Sequence, residues 1–199
     1  TGMASLGDIE DALEAVGMCP VALLHCVIGY PPPLKDINLR VILTMIERYP
    51  QAVIGHSDHT PDLYTSFAAV TLGAKIIEKH VILDKRQPGP DQSVSIDFRD
   101  LAALVDGIRK IEAALGSEKK VHSSEKIIRE WAFRSIVSTR KISAGEMITQ
   151  DMIWSKRPGT GIPSHKMSEV LGRKAARPIA ANALLSWDDL AGGRSNEKA

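Results

Sequence analysis

The chain has 199 residues, 44% hydrophobic and 25% charged, enough for one large domain or two modest ones with a buried core. A net charge of +1 gives no global field for nucleic acid or a membrane surface, and the pattern leads us to expect neither a membrane span nor a signal peptide. Cys19 and Cys26 are the only cysteines. Cys26 sits in an apolar run, so two unpaired thiols and a reducing cytoplasm are expected.

In chain order, strand-like and helix-like segments alternate first. Residues 5–18 read as a helix, with Ser5 as N-cap, acids in the first turn and Gly17 near the end. Residues 21–28 form an apolar run of strand length. Residues 36–49 repeat their apolar positions at helical spacing, and 51–55 read as a short strand. Residues 62–74 are helical with Gly73 as a stop, 75–83 are strand again, and 98–116 form a long amphipathic helix. This alternation predicts an α/β unit with parallel strands joined by right-handed crossovers. After a polar link the segments from Arg134 shorten and fill with turns, which predicts a compact β unit; residues 164–172 are its best helix candidate. The domains expected are 1–118, a linker at 119–130, 131–191, and a polar tail at 192–199. Residues 1–130 carry 14 basic and 18 acidic side chains, and 131–199 carry 11 and 6. Solvated surface explains such a split, and so does attraction between the regions within or between chains.

In a parallel α/β sheet, reactive groups collect at the C-terminal ends of the strands. Three stretches qualify: His25 to Tyr30, His56 to Thr60, and Glu78 to His80. Glu78 and His80, two apart in a strand, share a face, while Lys75, Ile77 and Lys79 share the other, where the lysines are expected to snorkel between outer helices. An inward glutamate needs a polar partner. Taken singly, His59 and His80 read as a loop residue and a core residue. Together, beside Asp58 and Glu78, they read as ligands for a borderline divalent ion such as Mn²⁺ or Zn²⁺. His56 ranks below His59, His25 reads as structural, and His122 and His165 as surface. Asp91 lies in a Pro/Gly-rich loop and reads either as a turn former or as a hydroxyl acceptor for a polyol.

The motifs TGM, LLHC with GYP, GHSDHT, GAKIIEKHVILDK, PGPD and KRPGTGIP resemble, in the same order, those of the sialic acid synthase family, which includes N-acetylneuraminate, legionaminate and pseudaminate synthases. Residues 131–190 resemble the antifreeze-like module that ends those enzymes. The resemblance implies an α/β fold: the C-terminal part of a TIM (β/α)8 barrel followed by a small antifreeze-like β-clip (SAF) domain, in a domain-swapped homodimer. It implies condensation of phosphoenolpyruvate with an N-acyl hexosamine such as N-acetylmannosamine, giving a nine-carbon 2-keto acid and phosphate. It implies that His59 and His80 bind a divalent metal, Mn²⁺ first, with Mg²⁺ or Co²⁺ as the other candidates, and that Glu78 and both histidines are catalytic. It implies that Ser57 contacts the phosphate of phosphoenolpyruvate, that Tyr30, Glu78 and Asp91 face the sugar, and that Arg157 reaches into the partner's barrel to hold the acyl group.

Such a barrel needs roughly 250 residues, so the chain reads as the C-terminal part of a longer protein, inactive as a fragment. Ile28 and Gln92 stand where relatives usually carry a polar residue and a histidine, and the particular nonulosonate is left open. The alternatives are a non-catalytic carbohydrate-binding or antifreeze-like module and a metal-dependent pyruvate aldolase.

Overall fold

The computed structural model describes residues 1–193; from residue 194 on, the expected polar tail lies outside them. The chain divides into two compact units, 1–117 and 118–199. The first runs α1 (Leu6–Val16), β1 (Ala22–Cys26), α2 (Val41–Arg48), β2 (Val53–Asp58), α3 (Tyr64–Thr71), β3 (Ile76–Lys79) and α4 (Phe98–Ala114). Its three strands pair in parallel in the order β1-β2-β3, so helices must carry the chain back between them. This establishes the α/β reading; the described residues contain an open three-stranded sheet and no closed barrel.

Local chemistry sets the element boundaries. The Ser5 hydroxyl accepts from the Asp8 amide at 3.2 Å, and the Asp8 carboxylate accepts from the Ser5 amide at 2.7 Å, a reciprocal cap on α1. Asp97 caps α4 by accepting from the Arg99 and Asp100 amides, each at 2.9 Å. The helix expected over 36–49 begins only at Val41, because Asn38 takes φ 49°, a left-handed backbone no α-helix continues through. The strand expected over 75–83 ends at Lys79. Beyond it the backbone turns to a new neighbour: the Ile96 amide donates to the His80 carbonyl and the Ile82 amide to the Ile96 carbonyl, both at 2.9 Å.

The sheet's two faces differ. Helices cover the outer face, where Ile54 packs with Ile9, Ile42, Met45, Tyr49, Ala69 and Ala74. The inner face is open: Val53 is 46% and Ile76 38% exposed. Gly55 lies on that face between Leu24 and Ile76. A Cβ there would meet the Leu24 Cδ2 tip, which can move, but also fall 2.6 Å from the Ile76 carbonyl oxygen and 2.9 Å from Ile76 Cβ, which cannot.

The second unit holds α5 (Ser123–Ala132), β4 (Ser135–Ser138), β5 (Ile153–Lys156) and α6 (Met167–Val170), with β4 and β5 antiparallel. Its ladders are short, and single bridges such as Ile142 to Ile179 and Ala175 to Leu190 do much of the pairing. Ile136, Ile142, Ile148, Ile153, Ile162 and Leu185 are among its buried core residues. Two buried serines hold the turns. Ser135 donates to the Pro158 carbonyl at 2.7 Å and accepts from the Gly161 amide at 2.9 Å. Ser138 donates to the Ala180 carbonyl at 2.6 Å and accepts from the Ala183 amide at 3.0 Å. Among the described residues no helix is long and apolar enough to cross a membrane.

Because the contacts around Gly55 leave no room, Gly55→Ala should destabilise the chain by about 1–3 kcal/mol, the usual cost of overpacking. Urea denaturation of the two proteins checks this.

Candidate functional site

The register lines up the inner-face groups. Cys26 pairs with Ser57, and Ser57 with Glu78, in one row across β1, β2 and β3. Ser57 donates its hydroxyl to Glu78 Oε1 at 2.7 Å, which supplies the partner an inward glutamate requires. A cavity of about 320 Å³ opens on this face, with Thr1, Gly2, Leu24, Cys26, Ser57 and Glu78 among its lining residues.

His59 and His80 follow directly on the ends of β2 and β3, and their ring centroids lie 5.1 Å apart. Tyr30 stacks on His59 at 4.5 Å and meets His80 edge-on at 5.7 Å. His59 is buried, with Nδ1 3.2 Å from the Val27 carbonyl and 3.9 Å from the Cys26 sulfur. A carbonyl only accepts, so Nδ1 carries the proton and the lone pair sits on Nε2, the form in which an imidazole binds a metal. The Asp91 carboxylate stands 3.6 Å from His80 Nδ1, beyond hydrogen-bond length. The structure thus brings together Tyr30, Ser57, His59, Glu78, His80 and Asp91.

These groups fit a divalent ion through two imidazoles, with the remaining positions left to water or substrate oxygens. Among the described residues no group of three or more His, Cys, Asp or Glu side chains converges as a metal cage. Asp58 in particular does not flank the histidines as expected. The pleat turns it to the outer face, where it meets Lys79. Lys79 in turn does not snorkel to solvent: its side chain is 2% exposed. Burial pushes its ammonium below the ordinary lysine value, against the pull of Asp58. Burial also raises the Asp58 carboxyl, but donors from Ser66, Thr60 and Thr65 and the Lys79 charge outweigh it and hold the group below the usual carboxylate range. Two charged partners fit the geometry: among the described residues Lys79 Nζ contacts the acceptors Asp58 Oδ2 at 3.1 Å and the Thr60 carbonyl at 2.6 Å.

Arg157 belongs to the second unit. Its Nε donates to the Ala132 carbonyl at 3.1 Å, and its guanidinium lies 5.3 Å from the Trp131 ring centre. His25 is buried with Nε2 2.6 Å from the Ile37 carbonyl, the structural role expected of it, and His122 and His165 are exposed. Cys26 lies in a qualifying strand-end stretch, yet the sequence assigns it no role at the site. Strand alternation turns it inward, but only the register with Ser57 brings it to the site. Both cysteines are free thiols.

An α/β unit with a polar strand-end rim, followed by a small turn-rich β unit, describes a two-module chain whose candidate site lies on the sheet. The chain belongs to the NeuB family, which it matches over residues 1–120, and it carries a SAF domain over residues 133–191. It is 40% identical to an uncharacterized protein of Methanocaldococcus jannaschii, aligned over 96% of this chain and 58% of that one. It is 36% identical to the N,N'-diacetyllegionaminic acid synthase of Campylobacter jejuni, over 93% and 57%. The crystal structure of the spore coat polysaccharide biosynthesis protein SpsE of Bacillus subtilis is 37% identical and superposes with a TM-score of 0.53, over 96% of this chain and 60% of that one. Other relatives are named pseudaminic acid synthase and N-acetylneuraminate-9-phosphate synthase. The chain spans under two thirds of the length of these relatives.

His56 has a separate consequence. It is 2% exposed, its Nδ1 donates to the His25 carbonyl at 2.9 Å, and its Nε2 has no partner among the described residues. Burial holds its pKa below the ordinary histidine value, against the His25 carbonyl and Asp58. The unfolded chain therefore takes up this proton near pH ~6.5 while the folded chain resists it. Stability should fall as pH drops below about 6.5, by at most about 1.4 kcal/mol per pH unit from this group. His56→Asn keeps the donor and cannot titrate there, so urea midpoints at pH 7.5 and 5.5 should differ less in this variant than in the parent.

Proposed function

We propose that the protein to which this chain belongs is a nonulosonic acid synthase. It condenses phosphoenolpyruvate with an N-acyl hexosamine such as N-acetylmannosamine, forming a nine-carbon 2-keto acid and phosphate. The observation that carries this reading is the pairing of His59 and His80, 5.1 Å apart, with the Ser57–Glu78 hydrogen bond one row below them. Membership of a family whose relatives include named legionaminic and pseudaminic acid synthases supports it.

In this reading the strands complete a (β/α)8 barrel, and the open inner face at Val53 and Ile76 becomes its interior. His59 and His80 hold Mn²⁺, or Mg²⁺ or Co²⁺ in its place, with the Val27 carbonyl keeping the His59 lone pair on Nε2. When bound, the ion supplies Lewis acidity for the sugar aldehyde. Ser57 offers its hydroxyl to a phosphate oxygen in place of Glu78. Glu78, Tyr30 and Asp91 orient the sugar through its hydroxyls, which matters because the reacting carbons must be held within near-attack distance. Arg157 grips the acyl group across a domain-swapped homodimer, using the forked donors that suit a carbonyl. The free thiols of Cys19 and Cys26 support a reducing, cytoplasmic setting.

With phosphoenolpyruvate and N-acetylmannosamine, phosphate release should keep step with formation of a 2-keto acid, and pyruvate should yield no product. Rigorous chelation and His80→Ala should each abolish turnover; phosphate release that survives both unchanged counts against the reading.

Arg157→Ala should raise the KM for the amino sugar, leave that for phosphoenolpyruvate nearly alone, and cost about 1.5–3 kcal/mol in kcat/KM. Mixed dimers of Arg157→Ala and His80→Ala contain one site with both residues intact, so mixing should partly restore activity. Heterodimers that form without any recovery exclude the cross-subunit role.

A further inference from the structure

The candidate site occupies the inner face of the sheet, yet a buried carboxylate with four polar partners, Asp58, lies on the outer face directly behind it. Asp58 and Lys79 are register partners on β2 and β3. Each is followed in the chain by one of the two histidines, Asp58 by His59 and Lys79 by His80. Their side chains are 0% and 2% exposed and 3.1 Å apart.

The bonds of this pair converge on the backbone that carries His59. Asp58 Oδ1 accepts from the Thr60 amide at 2.8 Å, and Lys79 Nζ donates to the Thr60 carbonyl at 2.6 Å. Residue 60 is therefore gripped at both its amide and its carbonyl, and residue 58 by its own side chain. His59, between them, has little freedom to turn. The remaining oxygen, Asp58 Oδ2, accepts from Thr65 Oγ1 at 2.7 Å and Ser66 Oγ at 2.6 Å, which ties the start of α3 to the same point. On the other strand, Lys79 is anchored at its ammonium immediately before His80, whose carbonyl is held by the Ile96 amide.

A buried ion pair is weak support for stability alone, because desolvating two charges offsets much of their attraction. What such a pair does supply is a fixed geometry. We infer that the buried Asp58–Lys79 pair, with Thr65 and Ser66, is a positioning device that sets the spacing and aim of His59 and His80 from behind the sheet. Asp58, Lys79, Thr65 and Ser66 are positioning residues that touch no substrate. The inference deepens the proposed function and rests, for its metal-binding consequence, on the reading of the two histidines as ligands.

The test uses the full chain and two measurements on each variant: the imidazole resonances of His59 and His80 in metal-free protein, and Mn²⁺ affinity from the electron paramagnetic resonance of free Mn²⁺. Lys79→Met keeps the aliphatic stem and removes the charge. It should displace the signals of both histidines, leave those of His122 and His165 in place, and weaken Mn²⁺ binding about 10–100-fold, the usual effect of losing an outer-shell partner. Thr65→Val removes one donor without unpairing a charge and should act in the same direction to a smaller extent, while Thr65→Ser, which keeps the hydroxyl, should restore both readouts. If Lys79→Met fails to fold, the two Thr65 variants decide the matter. A folded Lys79→Met or Thr65→Val protein with unchanged His59 and His80 signals and unchanged Mn²⁺ affinity overturns the inference. A parent protein that binds no Mn²⁺ removes the metal reading instead, and the histidine resonances alone then judge the positioning role.

Discussion

The pleat of β2 is the constraint on which the first unit depends. Successive side chains must face opposite sides of the sheet, so Ser57 points to the open inner face and Asp58 to the covered outer one. A carboxylate under a layer of helices is costly unless every oxygen is satisfied. Here the Thr60 amide, two hydroxyls and Lys79 meet that demand. The result is a sheet whose dry side contains its own closed polar network and whose other side carries the hydrogen-bonded Ser57–Glu78 pair and two imidazoles.

Much of this could be read from residue order. Ser5 and Gly17 mark the ends of α1 by local bonding that needs no distant partner. The two-residue period at 76–80 separates Glu78 and His80 from Lys79 correctly, because strand alternation is a property of the backbone. Other features depend on which segments meet. Nothing local to residues 80–82 announces Ile96, whose amide ends the β3 strand early. The left-handed backbone at Asn38 removes a turn from an otherwise convincing helical pattern.

The same limit applies within the site. His59 and His80 stand out by residue type and by following apolar runs. By residue order Asp58 reads as a flank of the two histidines and Lys79 as a snorkelling lysine until the β2–β3 register sets them opposite each other, and Cys26 acquires a place beside His59 only through the β1–β2 register. Arg157 shows the limit most plainly: its loop is recognisable, while its contacts with Ala132 and Trp131 depend on how α5 meets that loop.

The second unit is held at points more than along lines. Its strands are four residues long, and the Ser135 hydroxyl alone ties both Pro158 and Gly161. The loop that begins at Arg157 is thus mounted in part on one interior oxygen, beside the bond from the Gly159 amide to the Glu130 carbonyl at 2.6 Å. A short loop so mounted turns as one piece, and the direction of its guanidinium is written partly into a residue that never reaches the surface. Drift at position 135 would re-aim the arginine without changing it, so change at this surface can begin in the core.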